Sequence, residues 1–424
     1  MNKDSKTRYY EWTNKDAPRI ENTYGSFVAF LDTVLCKGYN NNPVTSLEVL
    51  DNNFVKVNLP RGHGYLFNQV VRISDSDQAY YNSDFRVLES RHDYIKIFVE
   101  GELTSSNTEC LIRIAPLGFT NVFTNTKKSI MCFKNASIKS PGILKVIDEI
   151  PPNGYSTSWV KYARIVFGQE IDSSGEFVSN NKAPFYPSYP DAEKTGNGVS
   201  STSGIHGLAK WDYASNDDQW HRENYTPDGS FPRNWTIIGD DKTFYMFIGT
   251  TASSRTTIQG FGNYISEDPE ESTNLCLQAR DSFLTASGTH DPTYARGRNN
   301  FGQFSSSVGS FLFSNIYGDI KNIYRYFSQG LYVGDSYYDR PWHSVDINSL
   351  NPASGFLASG LSYIKDTSGY VRGYHRGLRM IYGDSKMSSG SVSGSGEIIL
   401  TVTDPTNDRN ATYLFSLKDW ENVE

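Results

Sequence analysis

The stretch Trp235–Ser266, WTIIGDDKTFYMFIGTTASSRTTIQGFGNYIS, carries the plainest fold signal in the chain. Trp235-Thr-Ile-Ile238 and Thr243-Phe-Tyr-Met-Phe-Ile248 are β-branched and aromatic runs, the residue types that suit a pleated surface. Gly239-Asp-Asp-Lys242 supplies turn chemistry between them, and Gly260-Phe-Gly262 makes a Gly-rich corner beyond. Two strands around a tight turn are predicted. The acidic pair Asp240-Asp241 reads as a solvated turn. Adjacent turn residues point in different directions, whereas the carboxylates of a Ca²⁺ site or a glycosidase converge on one centre.

The whole chain agrees with this segment. Its hydrophobic share is 38%, and Phe, Tyr and Trp make up 14%. Counted with Gly and without Tyr, the apolar share is about 40%, below the ~45–50% of ordinary globular domains, so the shortfall is aliphatic. Aromatics between turns rich in Gly, Asn, Ser and Asp point to a mainly β protein. A net charge of −7 with interspersed signs leaves no basic stripe for a phosphate backbone, so no nucleic-acid partner is expected. The N-terminal MNKDSKTRYYEWTNKD lacks the apolar core of a signal peptide, and no apolar run approaches ~18 residues, so membrane insertion is not expected. Cys36, Cys110, Cys132 and Cys276 are sparse and form no CxxC pair; they read as buried, reduced thiols of a protein made in a cytosol. Without a secretion signal, the sequons at Asn135, Asn224, Asn234 and Asn410 carry little weight.

Along the chain, residues 1–22 form a polar arm with Tyr9, Tyr10 and Trp12 as anchors, draped over this chain or a neighbour. Ser26–Lys37 has Phe27, Phe30, Leu31, Val34 and Leu35 at helical spacing, with Ser26 as the expected N-cap and Gly38 as the C-terminal stop. From 43 to 115 the period becomes two, giving six short strands that suit a small sandwich or barrel. Further strands are predicted at Ser129–Lys134, Trp159–Phe167, Glu397–Thr403 and Tyr413–Ser416; Ile316–Phe327 reads equally as helix or strand. The expected architecture is therefore an arm (1–22), a helix plus small β module (23–115) and a larger, irregular β-rich domain (116–424). Long loops fall at about 171–234 and 385–397.

Candidate chemistry is thin. His63 sits in a lone Gly62-His-Gly64, which reads as a hairpin turn because the strand-to-helix setting of a phosphate-cradling loop is missing. His206, His221, His290, His343 and His375 match no ligand spacing. Ser305–Ser310 lacks the G-x-S-x-G elbow. Cys36 beside Lys37, and Cys132 near Lys134, have too little local charge to mark a nucleophile. No catalytic residue, metal or cofactor is expected. The stronger candidates are Tyr189, Trp211 and Trp220, aromatics on a loop rich in Gly, Ser and Asn. They suit either packing and subunit contact or the stacking of a ligand such as a sugar.

Several segments share a pattern in order. They are Gly25–Tyr39 with Val44–Val49, Gly62-His-Gly-Tyr65, Val70–Ser74 with Asp84–Val87, Ala115–Phe119 with Phe123–Lys127, Trp235–Ser266, and Gly369–Gly373 with Arg376-Gly-Leu378. Together they resemble a family of tailed-bacteriophage and prophage virion proteins over most of residues 24–380. The segment around 62–87 also resembles a small β module described in ubiquitin-activating enzymes. Two departures stand out: Arg376 occupies the place of the family's Pro in P-G-L, and residues 171–234 do not resemble the family's pattern. The resemblance implies a structural, tail-associated virion protein whose partners are copies of itself and neighbouring virion proteins. A carbohydrate- or receptor-binding tail protein with a host surface glycan as ligand is the alternative, and a head or neck decoration protein comes after it. The resemblance supplies no catalytic residues.

Overall fold

The computed structural model describes residues 7–101, 104–106, 110–150, 156–159, 161–178, 182–183, 199–200, 203–204, 209–214, 232–249, 256–268, 274–281, 310–314, 323–329, 357–366, 371–382, 391–392, 397–404, 409–417 and 420. Among the described residues the fold is mainly β, with one short α-helix near the N-terminus, a few helical turns and several antiparallel sheets.

Among the described residues the small module holds eight strands between Tyr39 and Ile114, two more than predicted. Tyr39–Val44, Cys110–Ile114, Val70–Ser74 and Asp84–Arg86 make one sheet; Ser46–Val49, Phe54–Asn58, Tyr94–Phe98 and Glu89–Ser90 make the other. Period-two patterning places Val55, Val57, Ile95 and Ile97 inside and leaves Lys56 and Lys96 on the wetter face. Tyr39–Val44 hides from that pattern because its sequence is YNNNPV. As an edge strand with a bulge it tolerates Pro43, and Asn42 and Tyr65 meet in a buried hydrogen bond of 3.0 Å.

Two larger sheets follow. One runs through Thr120–Thr124, Ile130–Lys134, Ile143–Ile147, Lys161–Gly168, Ala209–Ala214 and Arg280–Asp281. The other begins at Arg8–Glu11, continues through Trp235–Gly239, Thr243–Gly249, Thr256–Asn263 and Asn274–Gln278, and reaches the C-terminal strands. The opening hairpin has the register Trp235↔Ile248 to Gly239↔Phe244. This sheet doubles back on itself, since Ile265 and Ser266 pair with Tyr374 and Gly373. The Thr243–Gly249 strand is consequently buried on both faces. Phe244, Met246 and Ile248 join the main core, while Tyr245 and Phe247 meet Phe415 at 5.6 and 5.8 Å, and Tyr245 also meets Trp420 at 5.8 Å. Ile323–Gln329 is a strand, which settles the described part of the ambiguous segment. Ala209–Ala214 is a sheet strand inside the expected 171–234 loop.

The helix stands at the junction of these bodies, and one continuous core runs through the 115/116 boundary. Phe27 stacks on Tyr213 at 5.0 Å, and Phe30 meets Trp235 edge-on at 4.8 Å. Ser26–Asp32 is α-helical; Thr33–Lys37 widens into a π turn whose last bond runs from Gly38 N to Thr33 O at 2.7 Å. Gly38 has φ 78°, and a Cβ there would strike the Ile114 carbonyl. Ser26 is not the cap. Its hydroxyl is engaged with the Glu21 backbone, and Asp148, remote in sequence, takes the helix terminus instead. Asp148 Oδ2 accepts from the Gly25, Phe27 and Val28 amides at 2.8, 3.0 and 3.2 Å, and Oδ1 accepts from the Tyr213 hydroxyl at 2.6 Å.

The described part of the arm lies over its own chain. Arg8–Glu11 pairs with Trp235–Gly239, and the Trp235 indole donates to Pro18 O at 2.8 Å. No described helix is long and apolar enough to cross a membrane.

Candidate functional site

The candidate site is a groove of about 1050 Å³ between the small module and the first strands of the long sheet. Its floor is built from alternating strand positions. Arg72 lies between the inward residues Val71 and Ile73, and the register sets it directly across from Asp84. Arg72 donates through Nε to Asp84 Oδ1 at 2.6 Å and through Nη2 to Oδ2 at 3.0 Å, a bidentate fork. Arg8, from the first strand of the long sheet, adds a bond to Asp84 Oδ2 at 2.6 Å and donates through Nη1 to Leu117 O at 2.7 Å. Burial pushes the Asp84 carboxyl upward, but the Arg72 bonds and the Arg8 charge outweigh it and hold the group below its usual range. Arg86, behind this floor, is buried between Thr7 O and Asn68 O at 2.8 Å each; burial lowers its pKa to about 10. The rim carries Asp241 from the hairpin turn on one side and the half-exposed Tyr80 on the other.

The aromatics singled out in the sequence do not form this site. Trp211 is fully buried: its indole donates to Gln278 O at 2.7 Å and its ring meets Phe27 and Phe244 edge-on. It is a core residue of the Ala209–Ala214 strand, which fits the packing reading and corrects its placement on a loop and its offer as a ligand or partner contact. Tyr189 and Trp220 lie outside the described residues.

Asp240 corrects the expectation of a solvated turn. It does cap the turn, accepting from the Lys242 and Thr243 amides at 2.9 Å each. It is also buried, and Arg376 donates to its two oxygens at 3.1 and 3.0 Å. The residue at which the chain departs from the P-G-L pattern is thus the partner of this aspartate. Asp241 remains half-exposed.

His63 accepts from the Tyr65 amide through Nδ1 at 3.1 Å, which leaves Nε2 to donate to Arg91 O at 2.7 Å. Burial lowers its pKa, as suits a neutral ring fixed inside a turn. His375 is fully buried beside Tyr245, and burial lowers its pKa to about 3. His206, His221, His290 and His343 lie outside the described residues, as do Ser305–Gly309. The four cysteines are free; burial pushes Cys36 up to about 12, and Lys37 pairs with Asp32. The Asn135 sequon is buried, with its side chain bonded to Lys242 O and Asn263 Oδ1. Among the described residues no three His, Cys, Asp or Glu side chains are grouped to hold a metal ion.

The sequence signal for the groove floor was the outward position of Arg72 and Asp84 in period-two strands; the pairing register that joins them has no such signal. No family model matches this chain, and no curated protein matches it.

Proposed function

We propose that the chain is a non-enzymatic structural subunit of a tailed-phage virion, placed in the tail, baseplate or fibre-attachment region. It works through contacts with copies of itself and with neighbouring virion proteins. One observation supports this most: several of the separate segments that resemble virion proteins pack against one another. The Leu117, Gly118 and Phe119 amides donate to Val34 and Leu35 carbonyls at 2.9–3.1 Å. Phe119 meets Phe244 at 5.5 Å, Phe30 meets Trp235, and Arg376 holds Asp240. A resemblance concentrated in mutually packed framework residues is one of architecture, and a symmetric assembly repeats one such framework through self-complementary or ring-closing surfaces.

The test is mass spectrometry of purified particles together with sedimentation of the purified chain. The reading expects the chain in particles at a fixed copy number and an oligomer or ring-bound state in solution. A monomeric chain that is absent from particles would sink it. The receptor-binding alternative is favoured by the groove beside Tyr80.

A further inference from the structure

We propose that the groove beside Tyr80 binds an uncharged, hydroxyl-rich oligosaccharide. Tyr80 is 52% exposed, and its ring lies flat enough on Gly101 that a Cβ there would stand 2.5–2.9 Å from three ring atoms. Only glycine allows that approach, at a φ of 141° that also favours it. One side of the ring is thereby seated on backbone, and the exposed side is offered to solvent. An amphipathic ring held this way is a platform for the C–H face of a sugar, with the phenol free to hydrogen-bond a hydroxyl.

The surrounding polar groups suit the same ligand. Glu100 has no hydrogen-bond or ion-pair partner among the described residues, and the Ser83 hydroxyl is likewise unengaged. Arg72 spends Nε and Nη2 on Asp84, leaving Nη1 unengaged. An acceptor-only carboxylate, a donor-only guanidinium and a hydroxyl together match sugar hydroxyls, which donate and accept.

Charge argues against a polyanion. Three arginines (Arg8, Arg72, Arg86) stand among four carboxylates (Asp75, Asp84, Glu100, Asp241), and each arginine spends donors on Asp84 or on backbone carbonyls. The volume of about 1050 Å³ stands just above the ~300–1,000 Å³ range of small-molecule sites, which favours several sugar rings over one. The Arg8–Asp84–Arg72 floor is already ordered, so binding incurs little further entropy loss there.

The intact chain is to be tested on a printed array of neutral and acidic oligosaccharides, with neutral hits measured by isothermal titration. At least one neutral glycan should bind. Tyr80→Ala should weaken it about tenfold or more, and Tyr80→Phe should stay within about threefold. Glu100→Ala, on a separate exposed side chain, should weaken it about fivefold, which guards against a misfolded Tyr80 variant. Trp12→Ala, at an equally exposed aromatic outside the groove, should leave binding unchanged. No neutral hit, hits confined to acidic glycans, or binding indifferent to both Tyr80→Ala and Glu100→Ala would overturn the proposal. These outcomes are independent of whether the chain is found in particles, so this site and the virion reading can fail separately.

Discussion

The small module and the hairpin at the head of the long sheet are both antiparallel β, yet they differ in their second face. In the module, Phe54–Asn58 and Tyr94–Phe98 alternate between buried and half-buried residues, and Lys56 pairs loosely with Glu48 at 3.3 Å on the wetter side. In the larger body, Ile143–Ile147, Lys161–Gly168 and Thr243–Gly249 are buried at every position. A strand covered on both faces must satisfy whatever polar groups it carries without water. The larger body does so with specific partners: Asp240 with Arg376, Lys145 with Glu176 at 3.1 Å, and Lys210 above the Tyr162 ring at 4.3 Å. The lesson is that charge on the wetter face of the Phe54–Asn58/Tyr94–Phe98 sheet is decoration, whereas in the larger body, as in the Arg72–Asp84 floor of the groove, it is structure.

The sharpest way to break this contrast is Asp240→Asn. The amide keeps an acceptor for the Lys242 and Thr243 amides but strands the buried Arg376 charge, so denaturant unfolding should show a loss of about 3–5 kcal/mol. Adding Arg376→Met removes the stranded charge and should recover most of that loss. A single variant as stable as the parent would mean that the pair is not a buried one.

Asp148 sharpens the contrast through pH. Burial pushes its carboxyl from 3.8 up to about 6, against the pull of the Tyr213 hydroxyl and the helix amides. Between those values the folded chain keeps a proton that the unfolded chain has released. Its stabilising contribution is therefore complete below about 3.8 and is lost as pH rises through 6. Asp148→Asn keeps an acceptor for the helix and does not ionise. Relative to the parent it should gain on the order of 2–3 kcal/mol between pH 4 and pH 7. His375, lowered to about 3, has the opposite slope, its contribution fading as pH falls below its usual 6.5; both proteins carry it, so it cancels in the difference. A stability difference that is flat with pH would contradict the buried, proton-holding cap.

The smallest effect belongs to the module's wetter face. Lys56→Ala removes the Glu48 pair and a contact above the Tyr94 ring, and the change should stay within about 0.5 kcal/mol. A cost approaching that of Asp240→Asn would erase the distinction between the two regions.

Legibility in the sequence follows the same division. The period-two runs of the module, the apolar face of the helix and the Trp235–Ile248 hairpin could be read because each is a local pattern of burial. Tyr39–Val44 could not, since its Asn-rich edge is held by side-chain bonds rather than an apolar face. Proximity favours Ser26 as the helix cap, whereas the deciding carboxylate, Asp148, directly follows the Ile143–Ile147 strand. Trp211 read as a loop aromatic because its short, mixed strand AKWDYA has no period of its own; tertiary packing makes it core. Asp240–Arg376 and Arg8–Asp84 join residues far apart in sequence, and no spacing rule encodes such pairs. The groove therefore emerged only from the register of folded strands.

The most direct measurement of the central claim is a symmetry-resolved reconstruction of the purified particle. The account predicts repeated copies of this β body in the tail, baseplate or fibre-attachment region, at a stoichiometry set by the local symmetry. A complete particle reconstruction with no density for this chain would contradict it.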